Sequence, residues 1–201
     1  MEENRRFPRI QHHYVDRISS QEKYMLFEVK LNYDFAPLLA ADYTTHEGSC
    51  IKHQVHELTD IHEAYGGFPK SYCLANTKIH QLWWTADQID YVELGKQLGM
   101  EVVSVSTIMQ EPGCVVPLHR DTFYQIKTKH PDRTDLKVRA NIYMQDYKLG
   151  HLIQYQTGEE YKTSVDWKAG QGFLWDAGPL HLSANAGMEN KYTMQVSGFL
   201  L

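Results

Sequence analysis

The pattern of apolar and polar positions changes once along the chain, near residue 100. Before that point the spacing is mixed and partly helical. Ile89, Val92, Leu94 and Leu98 give a broad apolar face, Thr85-Ala86-Asp87-Gln88 has the form of a capping box, and Gly99 stands where a helix would stop. A second helix is expected over about 51–65, with Val55, Leu58, Ile61 and Tyr65 at helical spacing ahead of the breaker Gly66-Gly67-Phe68-Pro69. From Glu101 onward the chain breaks into short β-prone runs at 102–109, 114–118, 138–144, 151–156, 161–167, 172–175 and 192–200. Turn residues separate them, among them Glu111-Pro112-Gly113, Gly150, Gly158 and Gly178-Pro179. Many short strands at close spacing indicate packed antiparallel sheets rather than alternating β and α units. The expectation is one domain over 1–201, mainly β: a jelly roll (double-stranded β-helix) over 101–201, with helices from a mixed region over 1–100 packed against it.

Composition narrows the setting without changing that picture. With 201 residues, 42% hydrophobic and 22% charged, the chain reads as an ordinary globular protein. The start, MEENRRFPRI, lacks an apolar signal core, and no apolar run is long enough to span a bilayer, so a cytoplasmic protein is expected. Cys50, Cys73 and Cys114 form no CxxC pair, which argues against a disulfide framework or a cysteine-rich zinc site. With 20 basic against 25 acidic residues, nothing draws the whole molecule to nucleic acid or an anionic membrane. Eleven histidines make metal chemistry worth testing and also raise the rate of accidental motifs.

Two H-x-D pairs compete. His119-Arg120-Asp121 directly follows an apolar strand candidate, and alternate strand residues point the same way, so both side chains can converge on one metal. His130-Pro131-Asp132 lies in a polar stretch with no strand before it and reads as a loop. The first pair is therefore the candidate, and it needs a third ligand. Two neutral imidazoles and one carboxylate on one face of an octahedron suit Fe(II) and leave three positions open. His53, His56 and His62, near Cys50, read as a polar helix face, and no HExxH zincin pattern occurs. His12-His13 reads as an exposed segment.

The stretch Gly170-Gln171-Gly172-Phe173-Leu174-Trp175-Asp176-Ala177-Gly178-Pro179-Leu180-His181 resembles the segment carrying the distal histidine in the 2-oxoglutarate/Fe(II) dioxygenase superfamily. Lys191 falls ten residues later, and Lys191-Tyr192-Thr193 is similar to that family's basic-x-hydroxyl pattern. The likeness covers about 101–201 and extends to small phage and bacterial members and to the prolyl and aspartyl/asparaginyl hydroxylase-like branches. It implies Fe(II) on His119, Asp121 and His181, with 2-oxoglutarate as cosubstrate and Lys191 and Thr193 on its far carboxylate. A dianion taken into a dry barrel needs such a fixed cation and donors. Many members carry arginine where this chain has Lys191, and lysine binds as a point charge without the bidentate fork. Alternation places Arg139, Asn141 and Tyr143 on one strand face, where they would contact 2-oxoglutarate or substrate; Arg139 or Asn141 suits the carboxylate nearer the iron. Trp175 and Asp176 are expected to fill and satisfy the turn before His181.

The resemblance implies oxidative decarboxylation of 2-oxoglutarate to succinate and CO2, consumption of dioxygen, and hydroxylation of a peptide or protein side chain or a free amino acid, with ascorbate as an optional stimulant. Specificity would come from the N-terminal region and from loops such as 66–84 and 122–137, the latter locally basic through Lys127, Lys129, His130, Arg133 and Lys137. Trp83-Trp84 is read as buried packing or a substrate wall. The competing reading is a cupin-type metal-binding jelly roll without oxygenase activity, acting as an isomerase or lyase or as a binding module; such sites usually gather three or four histidines.

Overall fold

A computed structural model describes residues 25–44, 47–49 and 77–201. The helix expected over 51–65, with its histidines and Cys50, lies outside the described residues, as do Cys73, His12 and His13. In chain order the elements are β1 (Leu26–Lys30), α1 (Ala36–Leu39), β2 (Glu47–Ser49), β3 (Lys78–Trp84), α2 (Tyr91–Leu98), β4 (Met100–Gln110), β5 (Val115–His119), α3 (Tyr124–Lys129), β6 (Lys137–Tyr143), β7 (His151–Thr157), β8 (Glu160–Ser164), β9 (Gln171–Trp175), β10 (His181–Asn185) and β11 (Lys191–Leu200).

These strands form two antiparallel sheets, as a jelly roll requires. The larger runs β1-β9-β6-β11-β4-β3-β2 and the smaller runs β5-β10-β7-β8. Three strands of the larger sheet come from the first hundred residues, so the β core reaches beyond the 101–201 read from sequence.

Alternation sorts each strand of the larger sheet between two cores. Val138, Ala140, Ile142 and Met144 face outward with Met194 and Val196, and pack under Leu94 and Leu98 of α2 and Leu38 of α1. Tyr143, Phe173 and Trp175 belong to the other core, where they meet Ile153 and Tyr155 of the smaller sheet. Arg139 and Asn141 have the same parity on β6 as Tyr143, so they too face the space between the sheets.

Helix α2 corrects one sequence expectation. Its N-cap is Asp90, whose side chain accepts from the Glu93 amide, and Gly99 ends it in the left-handed conformation with φ 67. Thr85 and Gln88 instead close a separate turn, with the Thr85 amide donating to Gln88 Oε1 at 3.0 Å. The two alternatives look alike in sequence because a capping box is itself one turn of chain. Within 122–137, read as a loop, the short helix α3 forms, and His130 stands at its C-terminal cap, where no strand precedes it.

Two irregularities shape the region around the site. Pairing of β10 with β5 shifts between His181 and Ser183, so β5 carries an extra residue there; Pro117 sits in that bulge, where a ladder amide is not required. Pairing of β11 with β4 shifts between Ser197 and Gly198. A Cβ at Gly198 would come within 1.8 Å of the Glu101 carbonyl, so only glycine fits that crossing. Val103, passed over in the pairing, packs with Phe123, Ile126 and Phe199. No helix among the described residues is long and apolar enough to cross a membrane.

Candidate metal centre

His119 ends β5, His181 begins β10, and the two stand opposite each other in the ladder. Their ring centroids are 4.2 Å apart. Asp121 follows β5 by two residues, and its Oδ2 lies 3.9 Å from His181 Nε2. One ligand atom from each of the three lies within 4.8 Å of the others, and no other group of three His, Cys, Asp or Glu side chains among the described residues is so arranged.

A local device repeats on both histidines. His119 Nδ1 lies 2.7 Å from the Pro117 carbonyl and His181 Nδ1 3.1 Å from the Pro179 carbonyl. A carbonyl only accepts, so in each ring Nδ1 carries a proton, and the neutral ring then presents its lone pair at Nε2. The same tripeptide, Pro-Leu-His, supplies both arrangements at 117–119 and 179–181. That repeat is a sequence signal which the H-x-D reading passes over.

The protonation states suit a cation. Burial lowers the His181 pKa and outweighs the pull of Asp121, favouring a neutral imidazole. Burial pushes the Asp121 carboxyl upward, but the Arg139 guanidinium and the Trp175 N–H hold it well below the usual carboxylate range. Two imidazoles and one ionised carboxylate on converging elements are a donor set that fits Fe(II).

Asp121 is held from the larger sheet. Trp175 Nε1 donates to Oδ2 at 2.8 Å, and Arg139 Nη1 forms an ion pair with Oδ1. Arg139 Nε also donates to Ser197 Oγ at 2.9 Å. Trp175, read from sequence as turn filling, therefore reaches back 54 residues to a candidate ligand, a contact with no local signature. Asp176 stays with the turn, accepting from the Gly178 amide.

Further along the inner faces lies Lys191, 1% exposed. Its Nζ donates to the Leu152 carbonyl at 2.7 Å and to Ser183 Oγ at 2.5 Å, with Gln110 Oε1 at 3.4 Å. All three acceptors are neutral, and burial lowers its pKa to about 7. Ser183 is two residues past His181 on β10, a step of about 6.8 Å along a strand. Thr193 shares the inward face of β11 and pairs in register with Tyr143 on β6. Trp167, not singled out by sequence, stacks on Tyr143 with centroids 3.9 Å apart and lies 6.0 Å from Lys191 Nζ. Two polar groups here are under-used: Asn141 Nδ2 is buried without a partner, and the Tyr143 hydroxyl lies toward Ser164 without a completed hydrogen bond.

A groove of about 630 Å³ is lined by Trp83, Ser104, Tyr124, Gln125 and Lys129 among others. Ser104 pairs in register with Ser197, which holds Arg139, so groove and triad are linked through adjacent strands. Trp83 and Tyr124 are exposed there, whereas Trp84 is half-buried and donates to Thr107 Oγ1 at 2.8 Å.

The non-heme α-ketoglutarate-dependent epimerase SnoN from nogalamycin biosynthesis superposes on 87% of this chain and 78% of its own length, with TM-score 0.54 and 13% identity. The chain shares the jelly-roll fold of that enzyme. A Pseudomonas putida prolyl-4-hydroxylase matches 78% of this chain and 92% of its own at TM-score 0.45 and 12% identity. A predicted oxalate decarboxylase from Thermotoga maritima matches 61% and 82% at TM-score 0.37 and 12% identity. No protein-family model and no curated protein sequence matches the chain.

Proposed function

We propose that the protein is an Fe(II)- and 2-oxoglutarate-dependent oxygenase that hydroxylates a peptide or protein side chain or a free amino acid. One observation carries this reading. The inward face of β10 presents His181, in the triad, and then Ser183, which is bonded to a buried lysine whose charge no acidic side chain neutralises among the described residues. A dianion with one end at the triad and the other at Lys191 would supply the missing countercharge over about one two-residue strand step.

In this reading His119, Asp121 and His181 hold the iron through their Nε2 atoms and one carboxylate oxygen. Lys191 takes the distal carboxylate, Thr193 and the Tyr143 hydroxyl donate to it, and Asn141 Nδ2 is the free donor for the end nearer the triad. Trp167, Ile153 and Tyr155 keep water from the dianion, which strengthens each of those bonds. Bound iron would supply the activation of dioxygen, one oxygen atom passing to succinate as 2-oxoglutarate loses CO2 and the other converting a substrate C–H to C–OH. Substrate would approach along the groove bounded by Trp83 and Tyr124. A cupin-type binding module gathers more imidazoles than this, and no further histidine joins the triad among the described residues.

The test is succinate formation from 2-oxoglutarate by purified protein with Fe(II), and a visible charge-transfer band requiring both iron and 2-oxoglutarate. Absence of both would overturn the reading in favour of a metal-binding jelly roll without oxygenase activity.

A further inference from the structure

The residues that would grip the metal come from the smaller sheet and the chain just after β5, whereas the groups that grip Asp121 come from the larger sheet. Trp175 ends β9, Arg139 lies mid-way along β6, and Ser197, which fixes the Arg139 Nε at 2.9 Å, lies on β11. The two donors divide the carboxylate between them: Trp175 takes Oδ2 at 2.8 Å, and Arg139 takes Oδ1. Oδ2 is also the oxygen that lies 3.9 Å from His181 Nε2.

Neither donor is free to drift. Trp175 is 1% exposed, packs against the His181 ring at 4.4 Å and lies near parallel to Phe173. Arg139 lies over the Phe123 ring, with Cζ 5.5 Å from its centroid. Phe123 holds a left-handed backbone, φ 52, just two residues after Asp121, and its buried ring packs with Ile126 and Phe199. Such a conformation is uncommon outside glycine and persists only where surrounding packing imposes it.

We propose that Arg139 and Trp175 are positioning residues that act through Asp121, making it a single-oxygen ligand with a fixed direction. Arg139 holds Oδ1 away from the space between the histidines, so the carboxylate offers Oδ2 alone. A carboxylate free to chelate through both oxygens would take one of the positions the cosubstrate and dioxygen need. This assigns Arg139 to the carboxylate ligand rather than to 2-oxoglutarate, and it rests on the metal site proposed above.

The experiment is a Co(II) titration of the full chain, followed by calorimetry and visible absorption, on wild type, Arg139→Gln, Arg139→Lys and Trp175→Phe. Outer-shell partners of metal ligands are commonly worth about 10–100-fold in metal affinity. A loss of that size is expected for Arg139→Gln and Trp175→Phe, with an altered cobalt ligand-field spectrum and partial rescue in Arg139→Lys. Affinity for 2-oxoglutarate, measured at saturating metal, stays at the wild-type value. Trp175→Phe keeps the ring and removes only the N–H, so it tests the idea even if Arg139→Gln fails to fold. Wild-type cobalt affinity and spectrum in Trp175→Phe would overturn the proposal, as would an Arg139→Gln variant that binds cobalt normally and loses 2-oxoglutarate. If wild type binds no Co(II) that His119→Ala abolishes, the metal site itself falls and this inference with it.

Discussion

His119 and His181 face each other across the β5–β10 ladder, and each ring is turned by a bond from Nδ1 to the proline carbonyl two residues upstream. Both Nε2 atoms are thereby left as acceptors beside a carboxylate that burial alone would tend to protonate and its neighbours keep ionised. The pairing sits at a bulge, where a strand can redirect a side chain without breaking the sheet. Two chain segments far apart in sequence, one carrying His119 and Asp121 and the other His181, thus present three ligand atoms to the same small volume.

Replacing a ligand should remove the metal and leave the fold. His119→Ala and His181→Ala are expected to weaken divalent-metal binding by at least ~100-fold, in line with a site that has lost one of three protein ligands. His130→Ala should bind as wild type does. Isothermal titration with Mn(II), alongside far-UV circular dichroism, checks both. A normal His119→Ala with a defective His130→Ala would show that the other H-x-D pair is the site.

Lys191 should carry much of the cosubstrate affinity. A hydrogen bond to a charged group is worth about 1.5–3 kcal/mol, so Lys191→Met is expected to weaken 2-oxoglutarate binding by roughly 10–150-fold. Metal affinity should not change, because Lys191 touches no member of the triad. Equilibrium titration at saturating metal measures the loss.

The pH dependence follows from the sign of the Lys191 shift. Its pKa falls to about 7 in the folded protein, and a bound carboxylate would raise it again. Binding of 2-oxoglutarate should therefore take up a proton above pH 7, and affinity should decline as pH rises through that range. The folded protein binds fewer protons on Lys191 than the unfolded chain between about 7 and 10.5, so this residue's contribution to stability grows with pH across that window. Calorimetry in two buffers of different ionisation enthalpy reads the proton directly; zero uptake at pH 8 would remove Lys191 from the binding site.

Tyr143→Phe separates stability from binding. The hydroxyl is buried without a completed hydrogen bond, so its removal should leave the melting temperature unchanged or higher. If it donates to 2-oxoglutarate, affinity should fall by about fivefold, equivalent to ~1 kcal/mol for one hydrogen bond. A lower melting temperature with unchanged affinity would mark the hydroxyl as structural.

The α2 cap gives a check independent of function. Asp90→Ala should cost about 1 kcal/mol of stability, as loss of an N-cap does. Thr85→Ala should cost less, because Thr85 closes an exposed turn. Urea denaturation of the two variants measures the difference.

The sequence by itself determined the antiparallel β core, because alternation and turn residues act over a few neighbouring positions and need no partner. The same locality set Arg139, Asn141 and Tyr143 on one face of β6, and marked His119 rather than His130 as the pair following a strand. Local pattern could not decide what depends on contact between distant segments. It missed the three early strands of the larger sheet, since edge and mixed strands carry a weak period that packing then overrides. It mistook the Thr85 turn for the helix start, because both use one turn of chain closed by the same side chains. It gave no sign that Trp175 and Arg139 meet Asp121, a contact made only when β9 and β6 fold against the smaller sheet. The setting of Lys191 likewise exists only once the sheets close over it: its sequence position announces a cation, and its acceptors among the described residues are all neutral, which favours an anion beside it.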